Sequence, residues 1–113
     1  MTLTDKKYPN SSPLEVVVES NMELTTRDGV VLRADVYHPV GGSQYPALVC
    51  RTPYRKLTPR YVATATDLAA RGYCVVMQDF RGRYASDGDY EWMWRERTET
   101  HDTPDGYDTI EWA

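Results

Sequence analysis

No stretch of this sequence holds the roughly 18 consecutive apolar residues that a helix needs to cross a bilayer. Its opening segment, MTLTDKKYPNSSP, has no apolar core of the kind a secretory signal carries. Both absences point to a cytoplasmic chain with no membrane partner. A basic excess is missing too: 13 lysines and arginines face 17 aspartates and glutamates, a net charge of −4. A dedicated nucleic-acid binder would show the opposite balance, usually as a basic stripe. Cysteine is scarce. Cys50 and Cys74 have no C-x-x-C spacing and no nearby histidine, which argues against a metal pair. Each lies in an apolar run, so both are expected as small buried free thiols. Asn10-Ser11-Ser12 fits a glycosylation sequon, but without an export signal its use is not expected. What is present suits one globular domain: 113 residues, 41% hydrophobic and 27% charged.

Residues 1–13 are polar and proline-flanked and read as a flexible arm. Order begins with MELTTRDGVVLRADVYHP. Met22, Leu24 and Thr26 alternate, as do Val30, Leu32, Ala34 and Val36, and Asp28-Gly29 between them predicts an antiparallel hairpin with a two-residue turn. Glu15–Ser20 is a candidate upstream extension. Two apolar runs without alternation follow, Ala47–Cys50 and Tyr73–Met77, as expected of strands covered on both faces. Between them, Thr58 as N-cap, Pro59 at the first helical position and Gly72 beyond the last turn delimit a helix. Its apolar face carries Tyr61, Val62, Ala65, Leu68 and Ala69; Arg60, Thr64, Asp67 and Arg71 lie opposite. Strand, helix and strand make one βαβ unit.

After Asp79 periodicity is lost for about two dozen residues, a length that is usually functional or packed on something else. Helix signals resume at Thr103-Pro104-Asp105, with Tyr107 and Ile110 on a shared face. The irregular stretch opens with DFRGRYASDGD, which invites a ligand reading. An anion cradle would want closely spaced glycines leading directly into a helix; here they are six apart and no helix follows. A calcium loop starting at Asp87 would need glutamate at its twelfth position, where Thr98 stands. One Arg-Gly-Arg in an acidic chain is little basis for RNA binding. A tight turn at the C-terminal edge of a sheet, its arginines paired with nearby carboxylates, accounts for the residues without a ligand.

Four segments, RDGVVLRADVYHP, RTPYRK, DFRGRYASDGD and DGYDTIEWA, resemble in order and spacing the X-Pro dipeptidyl-peptidase and cocaine-esterase family of α/β-hydrolases, over residues 22–113. The resemblance implies an α/β fold, here the N-terminal part of an α/β-hydrolase domain over residues 14–113: a hairpin, then a βαβ unit of a mostly parallel sheet. It implies a small-molecule ester, amide or peptide substrate, cleaved by a Ser-Asp-His triad without cofactor or metal. It also implies that Tyr54 of RTPYRK donates its hydroxyl to the oxyanion. A phenol suits that task, being neutral at pH 7, a good donor and held on a rigid ring.

One departure matters. The G-x-S-x-G elbow that exposes a nucleophilic serine is absent, and Ser11, Ser12, Ser20, Ser43 and Ser86 lie in no such turn. The family places the elbow shortly after the segment matching DGYDTIEWA. The expectation is therefore a portion of a larger hydrolase, without nucleophile or base and inactive alone. His38 and His101 are expected to be ordinary surface or packing residues. Two other readings stay open: a related acylase or amino-ester hydrolase, or a non-catalytic remnant that associates through an exposed sheet edge and Trp92 and Trp94. Acyl specificity and oligomeric state are not encoded in these motifs.

Overall fold

The computed structural model describes residues 13–41, 44–90 and 102–113. In chain order the elements are β1 (Val16–Thr25), β2 (Val31–Pro39), β3 (Ala47–Thr52), α1 (Pro59–Ala70), β4 (Cys74–Asp79) and α2 (Asp102–Trp112). The strands form one mixed sheet in the order β1-β2-β4-β3. β1 pairs antiparallel with β2, β2 antiparallel with β4, and β3 parallel with β4. The α/β architecture is the expected one. All but the last residue of the proposed arm, Trp92, Trp94 and His101 lie outside the described residues.

The hairpin forms, with a different turn. Thr26 N donates to Val30 O and Gly29 N to Thr26 O, so the loop is Arg27-Asp28-Gly29 rather than two residues. Gly29, at φ 87°, takes the left-handed position that such a three-residue loop requires. The upstream extension is part of β1 itself. Its register against β2 shifts between Glu19 and Met22, and Asn21 sits there at φ 53°. This irregularity turns Asn21 out of the ladder, as a bulge does.

α1 begins and ends where its sequence signals predict. Thr58 is the N-cap residue, but its hydroxyl caps nothing; it turns back to donate to Tyr54 O (3.0 Å) and Arg55 O (2.8 Å). The helix lays Ala65 and Ala69 on the sheet against Tyr37, Val75 and Met77, with Tyr61, Val62 and Leu68 at the margin. Each large apolar side chain buried this way contributes about 1.5–3 kcal/mol over leaving it in water. Gly72 follows at φ 103°.

β4 is central and buried, as its apolar run predicts. β3 is not. Ala47, Leu48 and Cys50 are exposed, because the strand order leaves β3 with one described neighbour. Cys50 is accordingly an exposed thiol and Cys74 only half-buried, which corrects the expectation of two buried ones. α2 lies against the other side of the sheet with its polar face inward. Asp105 and Thr109 are buried, whereas Tyr107 and Ile110 are more than half exposed. Thr109 Oγ1 donates to Gln78 Oε1 (3.0 Å), and the sheet side chains it meets are polar, which explains the inversion.

Candidate active site

β3 and β4 run parallel, and both end beside two loops that carry most of the motif residues. At the carboxyl ends of such strands the backbone leaves the sheet, and side chains of successive loops converge. The first loop is RTPYRK, residues 51–56. Arg51 points down to the α2 side, donating from Nε to Gln78 Oε1 (2.8 Å) with its guanidinium 4.7 Å from the Phe80 ring centre. Tyr54 points out and is 60% exposed. Its backbone is held on both sides: its N–H donates to Thr52 Oγ1 (2.9 Å), and its carbonyl accepts from Thr58 Oγ1. The Tyr54 phenol thus stands just beyond the carboxyl end of β3 on a fixed stem.

Lys56, two residues on, turns inward and is 2% exposed. Its ammonium donates to Asn21 Oδ1 (2.7 Å) and lies 3.1 Å from Asp35 Oδ1 and 3.9 Å from Asp79 Oδ2. Sequence reasoning passed over this residue, since a lysine in a polar loop ordinarily belongs in water. The only hint was the company it keeps. Buried acids are almost never left unpaired, and Asp35 and Asp79 each sit within or at the end of a strand otherwise suited to the core.

The second loop is FRGRYASDGDY, residues 80–90. Asp79 ties it to the first. Asp79 Oδ1 accepts Lys56 N–H (2.7 Å), Oδ2 accepts Ala85 N–H (3.2 Å), and its carbonyl accepts Ser86 Oγ–H (2.7 Å). Arg83 Nε donates to Pro53 O (3.0 Å), and its guanidinium lies 5.1 and 4.9 Å from the Tyr84 and Tyr90 ring centres. Gly82, at φ 72°, donates to Asp87 O (2.9 Å), and a Cβ on it would overlap the backbone of Asp89 and Tyr90.

Arg81 works behind the loop. It donates to Asp105 Oδ2 and Oδ1 (3.0 and 2.8 Å) and to Asp28 Oδ2 and Oδ1 (2.8 and 2.9 Å), joining α2 to the hairpin turn. Those bonds hold the Asp28 carboxyl far below the usual carboxylate range, with a lesser contribution from Thr26, and raise the pKa of the guanidinium. Arg33 pairs with Asp87 (2.8 Å) and Glu23 (3.2 Å). Arg81 and Arg33 are therefore structural pairs with carboxylates, as the ligand-free reading anticipates, whereas Arg83 is held by a carbonyl and two aromatic rings.

The other polar candidates stay apart from Tyr54. Ser86 is 7% exposed and spends its hydroxyl on Asp79 O while accepting Arg33 N–H. His38 bonds Glu19 Oε1 (3.1 Å) near the end of β2. Since Tyr37 pairs with Val75, early in β4, that end lies across the sheet from the loops after β3 and β4. Among the described residues no group of three or more His, Cys, Asp and Glu side chains is arranged as a metal site. An apolar groove of about 270 Å³, lined by residues including Leu48, Cys50, Tyr61 and Leu68, runs between α1 and β3 and is not lined by Tyr54.

Comparison with known proteins follows the same residues. The X-Pro dipeptidyl-peptidase (S15 family) profile matches residues 28–113. A cocaine esterase from Rhodococcus sp. (strain MB1 Bresler) is 34% identical over 99 residues, which cover 84% of this chain and 16% of the esterase. An α-amino acid ester hydrolase of known structure superposes with a TM-score of 0.72 at 26% identity, over 99% of this chain and 22% of its own. An aminopeptidase from the marine sediment archaeon Thaumarchaeota archaeon gives 0.67 at 28% identity, over 99% and 21%.

Proposed function

Because this chain belongs to the X-Pro dipeptidyl-peptidase (S15) family of α/β-hydrolases, we propose that residues 14–113 are the N-terminal portion of the catalytic domain of a serine hydrolase that cleaves ester or amide bonds, peptide bonds included. The observation that carries this reading is Tyr54, an exposed phenol on a doubly anchored backbone at the carboxyl end of a parallel strand. In this fold the loop after that strand contributes to the oxyanion hole. When a serine attacks the substrate carbonyl, the carbonyl oxygen becomes an oxyanion, and the Tyr54 hydroxyl donates to it. A donor held in place beforehand stabilises the charge without reorganising during the reaction.

On this reading none of the described residues serves as nucleophile or general base. Ser86 and His38 are committed to hydrogen bonds elsewhere. The outer side of β3, with Ala47, Leu48 and Cys50 exposed, supports the same reading, since further strands of a larger sheet would cover it.

The test is Tyr54→Phe in the full-length hydrolase. Loss of one oxyanion donor lowers kcat by about 10²–10³-fold, with KM nearly unchanged, on whichever of p-nitrophenyl esters, β-lactam amides and X-Pro amides the wild type turns over. An unaltered kcat would remove Tyr54 from the mechanism. The 113-residue chain alone should hydrolyse none of these substrates above the buffer rate.

A further inference from the structure

We propose that Lys56 is a positioning residue for Tyr54, its buried ammonium locking the strained loop that presents the phenol. The inference rests on the reading of Tyr54 as oxyanion donor. Three strands converge on this one side chain: Asn21 from the β1 irregularity, Asp35 from β2 and Asp79 from the end of β4. Asn21 is itself held, its N–H donating to Asp35 Oδ1 (3.0 Å). Lys56 is pinned a second time through its backbone, whose N–H donates to Asp79 Oδ1.

Between this anchor and Thr52, which is 3% exposed, lie only Pro53, Tyr54 and Arg55. Arg55 sits at φ 80°, a left-handed conformation that side-chain-bearing residues avoid. Such a conformation persists only where its surroundings over-determine it. Here the surroundings are the Lys56 cluster on one side and the Thr58 hydroxyl on the other, which accepts no role as a helix cap and bonds the carbonyls of Tyr54 and Arg55. Stability alone does not call for an ion cluster at this place, because well-packed apolar side chains often serve a buried site as well. A charged head with directed acceptors adds a unique loop geometry, and the group this geometry displays is Tyr54. Asp79 extends the lock to the second loop through Ala85 N–H.

The experiment is a double-mutant cycle in the full-length hydrolase, with p-nitrophenyl acetate as probe and kcat expressed per titrated active site. Lys56→Met is expected to lower kcat by about 10–100-fold, the scale of a small misplacement of a catalytic group, while KM changes little. Combined with Tyr54→Phe it should add nothing, since a misplaced donor and a missing one fail alike. A merely structural role would lower the active fraction, and its effect would be the same in both backgrounds. Should Lys56→Met not fold, Asn21→Gly removes one acceptor of the ammonium and keeps the positive φ, and it should show the same dependence on Tyr54. Full-speed Lys56→Met beside a slow Tyr54→Phe overturns the positioning role and leaves the oxyanion reading intact, as do multiplicative losses. If Tyr54→Phe itself is unimpaired, the oxyanion reading falls and this inference with it.

Discussion

Replacing Arg81 with methionine should detach α2 and the hairpin turn from the loop after β4. Arg81 is 8% exposed and donates to both oxygens of Asp105 and of Asp28. The two carboxylates are not equivalent. The Asp105 side chain is 2% exposed, the Asp28 side chain 34%. Asp28 is partly open to water and also accepts from Thr26, so losing Arg81 leaves it solvated and that half of the cluster weighs little. Asp105 has no such recourse, and stranding one partner of a buried pair costs about 3–5 kcal/mol. The loss therefore falls mainly on the Arg81–Asp105 side. Hydrogen exchange of the α2 amides in the full-length protein, read by mass spectrometry, should accelerate by the corresponding factor of roughly 10² to 5 × 10³. The double variant Arg81→Met with Asp105→Leu, which removes both charges, should recover most of that protection. A single variant that exchanges like wild type, or a double variant no better than the single, would refute the assignment of the cost to a stranded Asp105.

Two further perturbations follow from the same region. Asp28 is held low chiefly by its hydrogen bonds to Arg81, and Asp108 by those to Arg27. A depressed folded pKa stabilises the protein above the unfolded value of about 4, and that stability is lost as pH falls through the folded value. The urea midpoint should thus drop on acidification below about pH 5, and Asp28→Asn should flatten the slope. Gly82→Ala should destabilise the loop by well over the ~1 kcal/mol expected of a left-handed alanine alone, because its Cβ would overlap the Asp89 and Tyr90 backbone. Gly29→Ala, with no atom within 4 Å of its Cβ, should show only the conformational cost, and equal shifts in thermal midpoint for the two would contradict that account.

What could be read in the chain was local. α1 announces itself by Pro59, Gly72 and the spacing of Ala65, Leu68 and Ala69, since a helix juxtaposes residues three and four apart whatever surrounds it. The hairpin was legible from alternation and Asp28-Gly29, although its extra turn residue was not. Tyr54 came from resemblance alone, since no periodicity points to it; the structure adds its exposure and its anchored backbone.

Tertiary structure decided which polar residues are inside. Lys56 reads as a surface lysine until β1, β2 and β4 bring Asn21, Asp35 and Asp79 to its ammonium. Arg81 meets Asp28 and Asp105 across separations of 53 and 24 residues. The inward face of α2 reads as its outward one until Gln78 and Arg81 are seen beneath Asp105 and Thr109. Apolar periodicity is inscribed residue by residue because burial of a helix or strand face needs only a regular repeat. A buried charge has no repeat; it is tolerated only where distant elements supply its partners, and no local pattern records where those will lie.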